Sequence, residues 1–108
     1  MMGALALRKP FGTPFSQKLA SDALEANAYT EVSASMPYAS SAVQVSNTSA
    51  EAVILATGEA GSEVDLPVLI APGAHLIIPI ELRKGARLAA KAKDAEANTG
   101  FLVINFLQ

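Results

Sequence analysis

The sequence predicts an all-β protein: a small antiparallel β-sandwich, jelly-roll-like, of seven to eight strands, preceded by an N-terminal arm that includes a short helix. Three observations predict it. From Ala28 onward the spacing of apolar residues has a period of two, the side-chain repeat of a strand. Turn formers interrupt that pattern at short intervals: Pro37, Asn47-Thr48-Ser49, Gly58, Gly61-Ser62, Pro72-Gly73, Lys84-Gly85 and Asn98-Thr99-Gly100. The 108 residues are 51% hydrophobic but only 6% aromatic, with no Trp, so Ala, Val, Ile and Leu must build a thin aliphatic core. The length fits one folded unit, divided into an arm (1–27) and a sandwich (28–108).

In the arm, Lys9-Pro10, Gly12 and Thr13-Pro14 break early regular structure. Thr13 can cap a helix with Pro14 in its first turn, and Phe15, Leu19, Ala23 and Leu24 recur at helical spacing as far as Asn27. Residues 28–36 alternate weakly, with Val32 and Met36 on one side, before Pro37 ends them. Residues 41–46 turn Val43 and Val45 inward, and 52–57 follow after the Asn47-Thr48-Ser49 turn. Gly58, Gly61 and Ser62 then supply a tip that tolerates positive φ.

The organising stretch is 64–82, read as a β-hairpin about Pro72-Gly73. Val64, Leu66, Val68 and Ile70 share one face, and Leu76, Ile78, Ile80 and Leu82 share the matching one. Pro67 and Pro79 offer no ladder N–H, so each strand needs an edge, a bulge or a sheet-switching bend there. Residues 87–93 alternate Leu88, Ala90 and Ala92 against Arg87, Ala89, Lys91 and Lys93. That alternation predicts a strand, although Ala and Lys intrinsically favour helix. Residues 101–107 are apolar on both faces. Leu102, Ile104 and Phe106 supply the core, and Phe101, Val103 and Leu107 form an oligomer interface, with a trimer expected.

The net charge of −2 opposes nucleic acid as the main partner. Arg83, Lys84, Arg87, Lys91 and Lys93 cluster but are flanked by Glu81, Asp94 and Glu96, which reads as a solvated strand face ahead of an anion-binding one. No stretch has the roughly 18 consecutive apolar residues of a membrane span, and Arg8-Lys9 follows rather than precedes the apolar start, unlike a secretory signal. A membrane partner is therefore not expected, and the protein is expected to be made in the cytoplasm.

Chemistry is sparse. With no Cys and one His, neither a thiolate site nor a histidine metal cluster can be assembled, and no metal or cofactor is expected. His75 follows the Pro-Gly turn on the face opposite the core, and no serine lies in a Gly-x-Ser-x-Gly elbow, so no catalytic residue is expected. Four scattered aromatics, Tyr29, Tyr38, Phe101 and Phe106, make neither a base-stacking platform nor a sugar shelf. The arm carries Leu5, Leu7, Arg8, Lys9, Phe11 and Phe15, apolar and basic groups interrupted by Pro and Gly. Two readings stand for it: docking on a partner, or Phe11 and Phe15 plugging the end of their own sandwich.

Residues 42–108 resemble the small virion proteins of tailed bacteriophages. The likeness lies in Val45-Ser46-Asn47-Thr48-Ser49, Ile70-Ala71-Pro72-Gly73, Arg87-Leu88-Ala89-Ala90-Lys91-Ala92 and Asn98-Thr99-Gly100-Phe101-Leu102-Val103-Ile104-Asn105. The resemblance implies a non-enzymatic capsid decoration or cement protein, or a collar, fibre or tail component. It further implies a place in the virion, with the major capsid protein or another virion protein as partner. The alternative from another class is a small carbohydrate-binding sandwich, which the missing Trp weakens.

Overall fold

The structure, a computed structural model, describes residues 16–20, through their backbone, together with 24–95 and 99–107. Those residues form eight strands: β1 (Ser16–Ala20), β2 (Thr30–Ser33), β3 (Ala42–Asn47), β4 (Val53–Thr57), β5 (Val64–Ile70), β6 (His75–Ile78), β7 (Leu88–Ala92) and β8 (Phe101–Leu107). First pairs with last along the chain, always antiparallel: β1 with β8, β2 with β7, β3 with β6 and β4 with β5. Pairing of β3 with β8 and of β4 with β7 then divides the folded ribbon into two four-stranded sheets, of order β1-β8-β3-β6 and β2-β7-β4-β5. This is a jelly roll, the double-sheet architecture the sequence predicts.

The facing sides make one aliphatic core. Val43, Val45, Ile78, Leu102, Ile104 and Phe106 come from the first sheet, and Val32, Val53, Leu55, Ile70, Leu88, Ala90 and Ala92 from the second, none more than 4% exposed. Residues 88–92 are a strand and not a helix. In its central place between β2 and β4, β7 gains two ladders of hydrogen bonds, which outweigh the helical preference of Ala and Lys. Where alternation fails, the ladder slips. Val32 is an extra residue between the pairs Glu31–Ala89 and Ser33–Leu88, so Val32 and Ser33 are both buried. Likewise Leu55 alone faces Leu66, Pro67 and Val68, so Pro67 sits in a bulge on an edge strand, as its missing N–H requires.

Four expectations need correction. The stretch 64–82 is not a hairpin: β5 lies at the edge of the second sheet and β6 at the edge of the first. The reason is the turn between them. Pro72 and Gly73, the latter at φ +81, with Ala74 N donating to Ala71 O at 3.0 Å, make a type II arrangement, which splays strands instead of continuing their ladder. Val64, expected in the core, is 66% exposed because it begins β5 beside the hairpin tip, beyond the facing sheet.

The helix expected from Pro14 to Asn27 does not form in the described part, where Ser16–Ala20 is a strand paired with β8. A free sheet edge beside it overrides local helical spacing. The arm therefore does not extend to residue 27 as a unit separate from the sandwich. Strand β1 is part of the first sheet, and Leu24, fully buried, is part of the core.

Candidate functional site

Two outward faces and one open side are the surfaces that can meet another molecule. On the outer face of the second sheet, Ala56 and Ala89 are fully buried although they point away from the core. Longer neighbours arch over them. Arg87 Nε donates to Glu31 Oε1 at 2.9 Å, and its Nη1 donates to Glu63 Oε2 at 3.0 Å and to Gly58 O at 3.1 Å. Lys91 Nζ lies 3.6 Å from Asp65 Oδ2 and 4.7 Å from the Tyr29 ring centre, while Tyr29 Oη donates to Asp65 Oδ1 at 2.5 Å.

The proton affinities follow these contacts. Hydrogen bonding to Glu31 raises Arg87 above its ordinary range. Glu63 is lowered, first by its own backbone N–H and then by Arg87. Lys91 is raised, chiefly by Tyr29, and Tyr29 is raised by its bond to Asp65. Lys93 pairs with Asp94 at 3.2 Å. Three of the five clustered cations are thus neutralised within the fold, which fits the solvated-face reading, and Arg83 and Lys84 are exposed without an ion pair among the described residues.

The outer face of the first sheet is mixed. Ser46 Oγ and His75 Nδ1 share a hydrogen bond, and Asn105 Nδ2 donates to Gln44 Oε1 at 3.3 Å. Around them stand Ile77, 57% exposed, Phe101, 42% exposed, and half-buried Val103. Ser46 and His75 form a pair and not a triad: among the described residues no carboxylate bonds to the imidazole, and no group of three His, Cys, Asp or Glu converges as a metal site. At the end of the sandwich an open cleft of 590 Å³ mixes both charge signs, with Glu31, Glu59 and Glu81 against Arg83 and Arg87.

The predicted site residues are distributed unevenly. Leu5, Leu7, Arg8, Lys9, Phe11 and Phe15 lie outside the described residues. Phe101 and Val103 share the outer face of β8, but Leu107 does not join them at the surface, being 4% exposed. It pairs with buried Ala42, and its carbonyl accepts from Ser40 Oγ at 2.6 Å and Ser41 N at 3.0 Å, so residues 40–41 close over that end of the strand.

The open side was not foreseen. Leu66, Val68 and Ile80 point to the core yet stay partly exposed, and Leu76 is 38% exposed, because β5 and β6 are edges of different sheets with no strand between them among the described residues. Leu69 and Ile77 flank the opening, 49% and 57% exposed. Pro67 and Pro79 were the signal, since proline marks an edge. Comparison with protein-family models, with curated proteins and with solved structures finds no match for this chain.

Proposed function

We propose that the chain is a non-enzymatic structural protein of a bacteriophage virion, a decoration or cement protein that bridges neighbouring capsid subunits and stabilises the head. The observation that carries the reading is the strand order β1-β8-β3-β6 and β2-β7-β4-β5, a jelly roll of the kind used in viral capsid domains. The surfaces support it in kind. One sheet wears an ion-paired lattice anchored on Arg87 and Lys91, with exposed Leu69 at its β5 edge, while the other and the open side expose Ile77, Leu76 and Phe101, groups suited to contact. The work done is binding without turnover. A rigid sandwich set across a capsomer boundary adds buried area that the shell must lose before its subunits separate, and so raises the barrier to opening.

The test uses purified phage heads that lack the protein, with the major capsid protein as partner. The reading expects saturable co-sedimentation at a fixed copy number per capsomer and a higher melting temperature for the decorated shell. Heads that stay bare at micromolar protein, or that bind it without any gain in stability, overturn it.

A further inference from the structure

The open side of the sandwich has the properties of an unfinished sheet. Asn47 N donates to Ala74 O at 2.9 Å, which fixes the parity of the ladder: Asn47, Val45 and Val43 address β6, and their partners Ala74, Leu76 and Ile78 address β3. His75 and Ile77 must then direct their backbone N–H and C=O away from β3, along an edge with no neighbouring strand among the described residues. Beneath that edge the inward-facing Leu66, Val68, Leu76 and Ile80 remain partly exposed. A further strand on β6 would use the free backbone groups and cover the apolar ones together.

We propose that residues 3–9 of a neighbouring copy add as that strand to the free edge of β6. Three features of the chain select this occupant. In Gly3-Ala4-Leu5-Ala6-Leu7-Arg8-Lys9, Leu5 and Leu7 share one face of an extended segment, so both can turn onto Leu66, Val68 and Leu76 while Arg8 faces outward and Lys9 ends the segment on the leucine face. Charge is complementary. Residues 1–20 hold Arg8, Lys9 and Lys18 and no acid, and exposed Glu81, the acid that follows β6, offers them one partner, with exposed Arg83 and Lys84 lying further along the chain.

Reach favours the neighbour over the chain itself. β1 and β6 are opposite edges of the first sheet, with β8 and β3 between them. A position beyond β6 is thus four strand spacings from β1, about 19 Å. Seven Cα–Cα steps join residue 9 to residue 16, about 24 Å at full extension, which leaves about 5 Å, too little for the turns out of β1 and along β6. Between copies no such limit applies. The contact is head-to-tail, from the β1 side of one copy to the β6 side of the next, so it closes into a ring where the rotation permits. It stands independently of the virion reading.

Because the chain has no cysteine, single-cysteine variants of the full chain give a clean test. Leu7→Cys and Ile77→Cys proteins, mixed and treated with a short bis-maleimide, are expected to give a covalent dimer that neither variant gives alone. Ile77→Pro removes one outward N–H that the sheet does not use, so it is expected to keep a cooperative melt while weakening self-association at least tenfold by sedimentation velocity. Deletion of residues 1–9 is expected to weaken it equally and serves in its place should the proline variant fail to fold. A chain that stays monomeric through the micromolar range overturns the proposal, as does self-association unchanged by the deletion. So does crosslinking within a dilute chain carrying both cysteines, which would show the segment docked on its own sandwich.

Discussion

Asn47 is fully buried, and its side chain ties together segments far apart in sequence. Nδ2 donates to Glu51 O at 2.8 Å and to Ile70 O at 2.9 Å, while Oδ1 accepts from Ser49 N at 3.0 Å and Ser49 Oγ at 2.6 Å. An apolar replacement strands these buried partners, so Asn47→Leu is expected to cost about 3 kcal/mol, read from the urea midpoint, at one to two net hydrogen bonds plus desolvation. Gly100 is equally constrained: at φ +84 its Cβ would lie 2.0 Å from Thr48 O, whereas a Cβ on Gly73, at φ +81, meets nothing within 4 Å. Gly73→Ala should therefore cost about 1 kcal/mol of backbone strain, and Gly100→Ala several-fold more by the same measurement. Half of the Asn47 role was legible. The turn through Ser49 N follows from local residue type, but the bond to Ile70, 23 positions away, needs the fold to bring the two together.

At the scale of elements, the strands from β2 onward were legible because period two and turn residues are local, and so was the inward set on β3, β7 and β8, whereas β1 was not, because its apolar spacing is helical and only the edge of β8 makes it a strand. Pairing was not. Pro72-Gly73 was read as a hairpin, although proline followed by glycine marks the turn type that splays strands apart; the true hairpin closes at Gly58 and Gly61, between β4 and β5. The inward and outward faces of β6 give a sharp test. Ile78→Asp places a carboxylate where 4% of the residue is exposed and is expected to abolish the cooperative melt, while His75→Ala, on the outer face, is expected to leave it intact by circular dichroism. The tip of the true hairpin should respond to acid. Glu63 is lowered in the fold, so its contribution is present above the ordinary carboxylate range and is lost as pH falls through the lower folded value. A melt of the wild type should thus weaken toward pH 3 more than that of Glu63→Gln, and equal acid sensitivity would remove Glu63 from the account.

At the scale of the whole molecule, folding first strand onto last leaves β1 and β6 as the edges of one sheet and β2 and β5 as the edges of the other. Shape and function part company here. Composition and periodicity lead to a small aliphatic sandwich, but which of its sides stays open depends on pairing that no local pattern encodes. The basic, apolar start of the chain reads as a segment that docks on a partner or on its own sandwich, and it lies outside the described residues, whereas the side with free edge groups for a strand emerged only from the order of the sheets. The measurement that bears most directly on the proposed role is electron cryomicroscopy of phage heads incubated with excess protein. The account predicts jelly-roll density at fixed lattice positions across capsomer boundaries; capsids without added density at saturating protein would contradict it.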